Sequence, residues 1–224
     1  RLMIDSEYQA MASEITRIAN ATDFNGIHLL NGNLEDVTIE GVTDVLRKRK
    51  DHPKAVLLFT VCLHHFLGCD LERVYEELED RFPDIFFVRC YMDPIMQKHG
   101  LTPDQKLRKA IYDGLKVREE NPKAVTILGS DFALDETSDI KRLLKAENIE
   151  VRELPTCDSW KAYENLADSR IFIACYPPGK YGLESQAERL GKKALYLPGS
   201  FDYDEIIMQW KTLEQAVGGN AKDV

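Results

Sequence analysis

Two different patterns of apolar and polar residues follow one another along the chain. Over residues 4–18 the apolar side chains recur every three or four positions, which is the spacing of an amphipathic helix. From residue 55 onward, short apolar runs alternate with helical patterns, and the run over residues 55–61 is apolar or β-branched throughout. A strand of that kind is covered on both faces and belongs to a parallel sheet. The patterns therefore predict one helical segment followed by an α/β fold.

After residue 35 the predicted elements fall into two groups. The first group begins with a helix over residues 42–50 and the strand over residues 55–61. It continues with a helix over residues 70–82, for which Asp70 is the predicted N-cap, and a strand over residues 85–90. A helix over residues 103–120 closes it. In the second group each strand is followed by a helix; the strands are predicted at residues 124–128, 150–154, 170–174 and 193–197, and the helices at residues 137–147, 159–167, 182–190 and 203–216.

This alternation predicts an α/β protein of two Rossmann-like, mainly parallel, doubly wound units preceded by a helical segment. We assign residues 1–34 to the helical segment, residues 35–118 to the first unit and residues 119–224 to the second. The apolar stripe of the first helix is expected to pack weakly, or only against another chain.

Charge and composition exclude several classes of protein. The chain has 29 basic and 38 acidic residues, a net charge of −9, which argues against a nucleic-acid partner. We find no apolar run of the roughly 18 residues that a membrane span needs, and no signal-peptide pattern. A cytoplasmic location is therefore expected for the α/β part. Five cysteines favour reduced thiols or metal ligation over a disulfide framework.

Three cysteines, Cys62, Cys90 and Cys175, stand at or just past the carboxyl ends of predicted strands. Because ligands of open α/β sheets bind beyond those ends, we expect the three thiols to face a common cleft between the units. Thiolates there could hold an iron–sulfur cluster or a related metal cofactor. Free cysteine is also among the most buried residue types and often serves as a small apolar filler, and without a CxxC spacing the residues alone leave both interpretations open.

Further candidate ligands surround Cys62. His64 and His65 follow it closely, and each imidazole could be a ligand, a proton donor or a capping group. Cys69 lies seven residues after Cys62. The predicted cofactor-binding residues are thus Cys62, Cys90, Cys175, His64 and His65, and the predicted metal ligands are Cys62, Cys69 and Cys175.

The first part of the chain resembles one family. SEYQAMASEITRIANATDFNGIHLLNGN, residues 6–33, is similar to the amino-terminal region of bacterial flagellins, in which a long helix leads into an FNG turn. The resemblance implies a fragment of an exported filament protein.

Residues 36–218 resemble another family, the nitrogenase component 1 type oxidoreductases. The segments that carry this resemblance are AVLLFTVCLHHFLGCDLERV, TILGSDFALDETSDIKRLLKAENIEV, NLADSRIFIACYPPGKYGLESQAERLGKKALYLPG and SFDYDEIIMQW. It implies that Cys62 ligates an iron–sulfur cluster shared between subunits and that Cys175 holds a metal cofactor. An ATP-dependent iron–sulfur reductase and a second homologous subunit are the implied partners, in a homo- or hetero-oligomer. The family's other cluster cysteines lie upstream, where this chain is flagellin-like, so a complete site is not expected.

Three functions remain open at this stage. The chain is a redox module that passes electrons to a cluster or small substrate at the cleft, or a non-catalytic module of the same fold that binds a metal cofactor or a tetrapyrrole. The third is a flagellin-derived structural fragment. Because the two resemblances imply export and a cytoplasmic location respectively, a chimera is the expected origin of the junction.

Overall fold

The structure is a computed structural model that describes residues 2–21, 23–24, 27–28, 34–94 and 100–218. It falls into two compact units, Arg1–His99 and Gly100–Val224. The sequence prediction placed this boundary after residue 118. The difference arises because the segment that begins at residue 100 packs within the second unit, where its helix lies against the helix Lys180–Leu190.

The first helix, α1, spans Leu2–Ala21 and is longer than predicted. Its stripe residues Tyr8, Met11 and Ile15 are exposed, whereas the side chain of Ile4 lies outside the described residues. The expectation that this stripe does not enter the α/β core is therefore confirmed for these three positions. Two short antiparallel strands follow, β1 (Asp23–Phe24) and β2 (Ile27–His28).

The first unit continues with two parallel strands and three helices. Asp70 is an N-cap as predicted, because its carboxylate accepts a hydrogen bond from the backbone N–H of Arg73. The first of these helices begins eight residues earlier than predicted, with Glu35 and Asp36 in its first turn, where carboxylates interact favourably with the helix dipole. The elements are α2 (Leu34–Arg47), β3 (Ala55–Val61), α3 (Cys62–Phe66), α4 (Leu71–Arg81) and β4 (Phe86–Met92).

Helices α2 and α4 cover the same face of the β3–β4 sheet. Side chains such as Val56 and Phe87 on that face pack against Leu46 and Leu78 of the two helices. On the other face of β3, Leu57, Phe59 and Val61 are 42%, 53% and 47% exposed. The prediction that β3 is parallel is confirmed, but the prediction that it is covered on both faces is wrong. The strand has apolar side chains on both faces, but α2 and α4 both pack against the same face.

The second unit is built on a four-stranded, entirely parallel sheet with the strand order β6-β5-β7-β8. This arrangement confirms the predicted parallel pairing of the strands near residues 124 and 150. Asn121 and Pro122 are the first residues of β5, and the preceding helix ends ten residues earlier than predicted. The elements are α5 (Pro103–Ala110), β5 (Asn121–Ile127), α6 (Asp139–Ala146), β6 (Glu150–Glu153), α7 (Trp160–Asn165), β7 (Ser169–Ala174), α8 (Lys180–Leu190), β8 (Lys193–Tyr196) and α9 (Tyr203–Val217).

Helices cover both faces of this second sheet. On one face Phe172 packs with Tyr112, Leu183 and neighbouring side chains of α7 and α8. On the other face Ile171 and Ile173 pack with Leu144 of α6 and with side chains of α9. Burial on two faces is what the apolar runs of these strands predicted. Among the described helices, none is long and apolar enough to cross a membrane.

Candidate functional site

The carboxyl ends of β3 and β4 bring Cys62 and His65 to one edge of the first sheet. Cys62 is the first residue of α3, is partly exposed, and its Sγ lies 3.9 Å from the carbonyl oxygen of Met92, the last residue of β4. His65 Nε2 lies 3.0 Å from a carboxylate oxygen of Asp93, which directly follows β4. The two strand ends are thus linked by a thiol and by an imidazole–carboxylate pair.

The two histidines have different surroundings. His64 Nδ1 accepts a hydrogen bond from the backbone N–H of Val61 at 3.3 Å, so this imidazole caps the start of α3. His65 is directed to Asp93 instead, with its Nε2 close to a carboxylate oxygen of that residue. Of the two predicted candidates, His65 is therefore the one beside a possible acid–base partner. Asp93 was not predicted, although its position immediately after a strand was a signal that could have identified it.

Cys90 and Cys69 are surrounded differently from Cys62. Cys90 lies inside β4 rather than at its end, because the strand runs two residues further than predicted, and its side chain is fully buried. Burial raises the pKa of the Cys90 thiol to about 11. Burial, together with the nearby carboxylates of Glu35 and Asp70, raises the pKa of Cys69 to about 11 as well. Both thiols are held in the neutral form, and the environment of Cys90 is that of an apolar filler.

Cys175 directly follows β7 in the second unit, as predicted. It is partly buried and packs against the core between the sheet and helices α6 and α9. Burial, and secondarily the carboxylate of Glu153, raise the pKa of its thiol to about 11. Glu153 ends β6 and forms a buried ion pair with Lys141, with 2.7 Å between Nζ and the carboxylate oxygen. In the sequence, the only signal for this pair was the acidic residue Glu153 at the end of the predicted strand.

The loops after β5, β7 and β8 carry exposed aromatic rings at the carboxyl edge of the second sheet. Phe132 follows β5 and is 81% exposed, whereas Tyr176 follows β7 and is 43% exposed. Phe201 and Tyr203, which follow β8, are also exposed. Strand order places these loops on one edge, next to the position of Cys175.

One cavity of the second unit lies away from this edge. It has a volume of about 460 Å³ and is lined by Asn121, Lys161 and Asp168 among others. Asn121 begins β5 and Asp168 immediately precedes β7, so this cavity opens at the amino-terminal edge of the sheet. Ligands of parallel sheets bind at the opposite edge, and the cavity contains none of the predicted site residues.

The described His, Cys, Asp and Glu side chains do not include a group of three placed to hold a metal ion. An iron–sulfur cluster is held by about four thiolates or equivalent ligands. Such a cluster therefore does not fit the described residues by themselves. A metal cofactor attached through a single thiolate makes a smaller demand, and Cys175 offers one donor at a strand end.

Comparison with known proteins identifies the family that the chain matches. The sequence model of the nitrogenase component 1 type oxidoreductases matches residues 12–223, starting within the segment that resembles flagellins. No curated protein matches the chain.

Two similar solved structures are titled "Nitrogenase Cp1 at pH 5" and "Nitrogenase Cp1 at pH 6.5". Their TM-scores are both 0.59 and their identities 12% and 17%, over 84% of this chain. At such low identity the likeness is one of fold. The chain spans 38% and 46% of the length of those two chains, which is less than half of each.

Proposed function

The chain belongs to the nitrogenase component 1 type oxidoreductase family, and we propose that it is a redox module that accepts electrons from an ATP-dependent iron–sulfur reductase. The observation that carries this proposal is the position of Cys62, a partly exposed thiol at the joined carboxyl ends of β3 and β4. An iron–sulfur cluster bound there would supply one-electron transfer. The pair of His65 and Asp93 supports the same site, because it brings the helix that begins at Cys62 next to the residue that follows β4.

A second chain is part of this proposal. The described residues do not bring three metal-ligating side chains together, so the remaining ligands of a cluster at Cys62 must come from outside them. We propose a second homologous subunit as their source. The exposed apolar side chains of Leu63 and Phe66 on α3, next to Cys62, support a protein contact at this position.

Iron binding by the anaerobically reconstituted chain tests the proposal. We expect charge-transfer absorption and bound iron in the parent chain together with oligomer formation, and loss of both signals in Cys62→Ala. Cys157→Ala is the matched control, because Cys157 is also a partly buried thiol but lies in a loop of the second unit. Equal iron content in the parent chain and in Cys62→Ala would contradict the redox proposal.

A second candidate function is a non-catalytic module that binds a metal cofactor or a tetrapyrrole. The exposed rings of Phe132, Tyr176, Phe201 and Tyr203 favour it, because aromatic side chains at a strand-end edge can stack on a planar conjugated ligand. Titration with a free-base porphyrin would separate the candidates. Saturable binding that is weakened by Phe132→Ser, in a chain that binds no iron, would favour the binding module.

The third candidate is a flagellin-derived fragment joined to the α/β part. The exposed stripe of Tyr8, Met11 and Ile15 supports it, since such a face suits a contact with another chain. Removal of residues 1–33 provides the test. A chimera predicts that the shortened chain retains its iron binding and its unfolding transition, whereas loss of both would show that α1 is part of the fold.

A further inference from the structure

Cys175 lies beside the topological switch point of the second sheet. The chain runs from β5 to β6 on one side and then returns to add β7 on the other side of β5. Open α/β sheets bind their ligands in the crevice at such a point, between the loops that follow the two central strands. Here the two loops begin with Leu128 after β5 and with Cys175 after β7.

The crevice is closed by a contact between two glycines. A Cβ atom added to Gly129 would lie 2.5 Å from the Cα of Gly179, and one added to Gly179 would lie 2.9 Å from the Cα of Gly129. Gly129 also has a positive φ of 81°, which other residues rarely adopt. The two loops therefore touch through their backbones, and any side chain at either position would separate them.

One buried guanidinium joins these loops to each other. Arg108 of α5 donates hydrogen bonds to the carbonyl oxygen of Gly129 and to both carboxylate oxygens of Asp131, at 2.7 to 3.0 Å. Its Nε lies 3.0 Å from Asp104. Cζ of the same guanidinium lies over the ring of Tyr176, 4.7 Å from the ring centroid, in a cation–π contact. Tyr176 is covalently next to Cys175, so Arg108 holds both sides of the switch point.

We propose that Arg108, acting through Tyr176, is the positioning residue for the Cys175 thiol. This inference rests on the second candidate function, a module that binds a metal cofactor, to which Cys175 would contribute a single thiolate. The guanidinium holds the side chain of the residue that immediately follows Cys175, while Gly129 and Gly179 set the spacing of the loops. When the guanidinium no longer stacks on the Tyr176 ring, the Cys175 loop opens at the switch point and its thiol becomes accessible.

The geometry also predicts that Arg108 can be replaced without unfolding the unit. Its carboxylate partners Asp131 and Asp104 have side chains that are 68% and 45% exposed, so water solvates them when the guanidinium is removed. Gly129 keeps its second anchor, because its N–H donates to the hydroxyl of Tyr112. A substitution at Arg108 therefore leaves no buried unpaired charge.

The test measures the alkylation rate of each cysteine in the metal-free full chain by peptide mass spectrometry. We expect Arg108→Gln and Tyr176→Ser each to raise the rate at Cys175 by about fivefold, given the usual strength of a cation–π contact. Cys157, in the same unit, is the internal reference and should keep its rate. Tyr176→Phe retains the stacked ring and should restore the parent rate.

The double variant shows whether Arg108 and Tyr176 act on Cys175 through one shared contact or independently of each other. If Arg108 acts through Tyr176, Arg108→Gln combined with Tyr176→Ser exposes Cys175 no more than the stronger single variant does. An unchanged rate at Cys175, or equal increases at Cys175 and Cys157, would overturn the proposal. Because the alkylation test uses the metal-free chain, a negative result would not contradict the proposal of iron binding at Cys62. Likewise, failure of Cys62 to bind iron would not change the alkylation result.

Discussion

The strands of the two units have similar apolar runs in the sequence, but helices pack on one face of the first sheet and on both faces of the second. In the second unit helices pack on both faces, and Phe172 and Ile173 of β7 are completely buried. In the first unit α2 and α4 share one face, and Phe59 on the other face of β3 is more than half exposed. A continuous apolar run thus shows that a strand can be covered on both faces. Whether it is covered depends on elements elsewhere in the chain or in a partner.

The largest expected effect concerns matched phenylalanines in the two sheets. Phe172→Ala should lower the free energy of unfolding by about 3 to 5 kcal/mol, because it leaves a cavity in a closed core. Phe59→Ala should cost less than about 1 kcal/mol, since its ring is 53% exposed. Urea unfolding followed by tryptophan fluorescence reports on the second unit, which contains both Trp160 and Trp210, and circular dichroism reports on the whole chain. Equal losses would mean that the outer face of β3 is covered in solution.

Ion pairs provide the next comparison. Lys141 and Glu153 in the second unit are both buried, so Lys141→Ala leaves a buried carboxylate without its partner. That substitution should lower the free energy of unfolding by about 3 to 5 kcal/mol. The loss is smaller if water enters and solvates the carboxylate. In the first unit Arg73→Ala removes an exposed pair with Asp36 and should cost about 0.2 to 1 kcal/mol. High salt should weaken the exposed pair and leave the buried one almost unaffected, which a stability measurement at two salt concentrations would show.

Most strands, and their parallel direction, were predictable because each is a short apolar run whose periodicity needs no partner. The burial of each sheet face was not predictable, as the exposed Leu57 and Phe59 show. It depends on which face of the sheet the helices pack against. The ends of elements were less accurate. Cys90 was placed at a strand end since the apolar run stops there, yet β4 continues through Tyr91 and Met92.

Residues of the candidate site could be proposed from the sequence only where they stand at or near a strand end. Cys62 and Cys175 were identified that way, and His65 by its closeness to Cys62. Arg108 was not identified, because its partner Asp131 lies 23 residues further along the chain and only the fold brings them together. The periodicity of apolar residues describes one helix or strand at a time. Hydrogen bonds between side chains of different elements do not affect that periodicity, so it cannot predict them.

Buried thiols predict a pH dependence of stability. The folded chain raises the pKa of Cys90 from 9.0 to about 11, so folding favours its neutral form. This contribution is fully present below pH 9 and is lost as the pH rises through about 11. Between pH 8 and pH 10, replacement of Cys90 by Ala should therefore remove about 1 kcal/mol of the alkaline loss of stability. The comparison is with Cys175→Ala, which should act in the same direction on the second unit, where burial and Glu153 raise the pKa of that thiol. An alkaline slope that neither substitution changes would contradict the burial of both thiols.

The smallest expected effect separates the caps of α4 and α6. Asp70 accepts a hydrogen bond from the backbone N–H of Arg73 at 3.1 Å, whereas Ser138, the N-cap of α6, makes no side-chain cap hydrogen bond and its buried Oγ has no hydrogen-bond partner. Asp70→Ala should thus cost about 1 kcal/mol, and Ser138→Ala should be neutral or slightly stabilising because it removes a buried hydroxyl that makes no hydrogen bond. Hydrogen exchange of the first-turn amides measures each helix separately. Faster exchange at Arg73 in the first variant, with unchanged exchange at the start of α6 in the second, is the expected result. If Ser138→Ala destabilised α6 as much as Asp70→Ala destabilises α4, the Ser138 hydroxyl would have to be a cap in solution, and the contrast between the two helix starts would disappear.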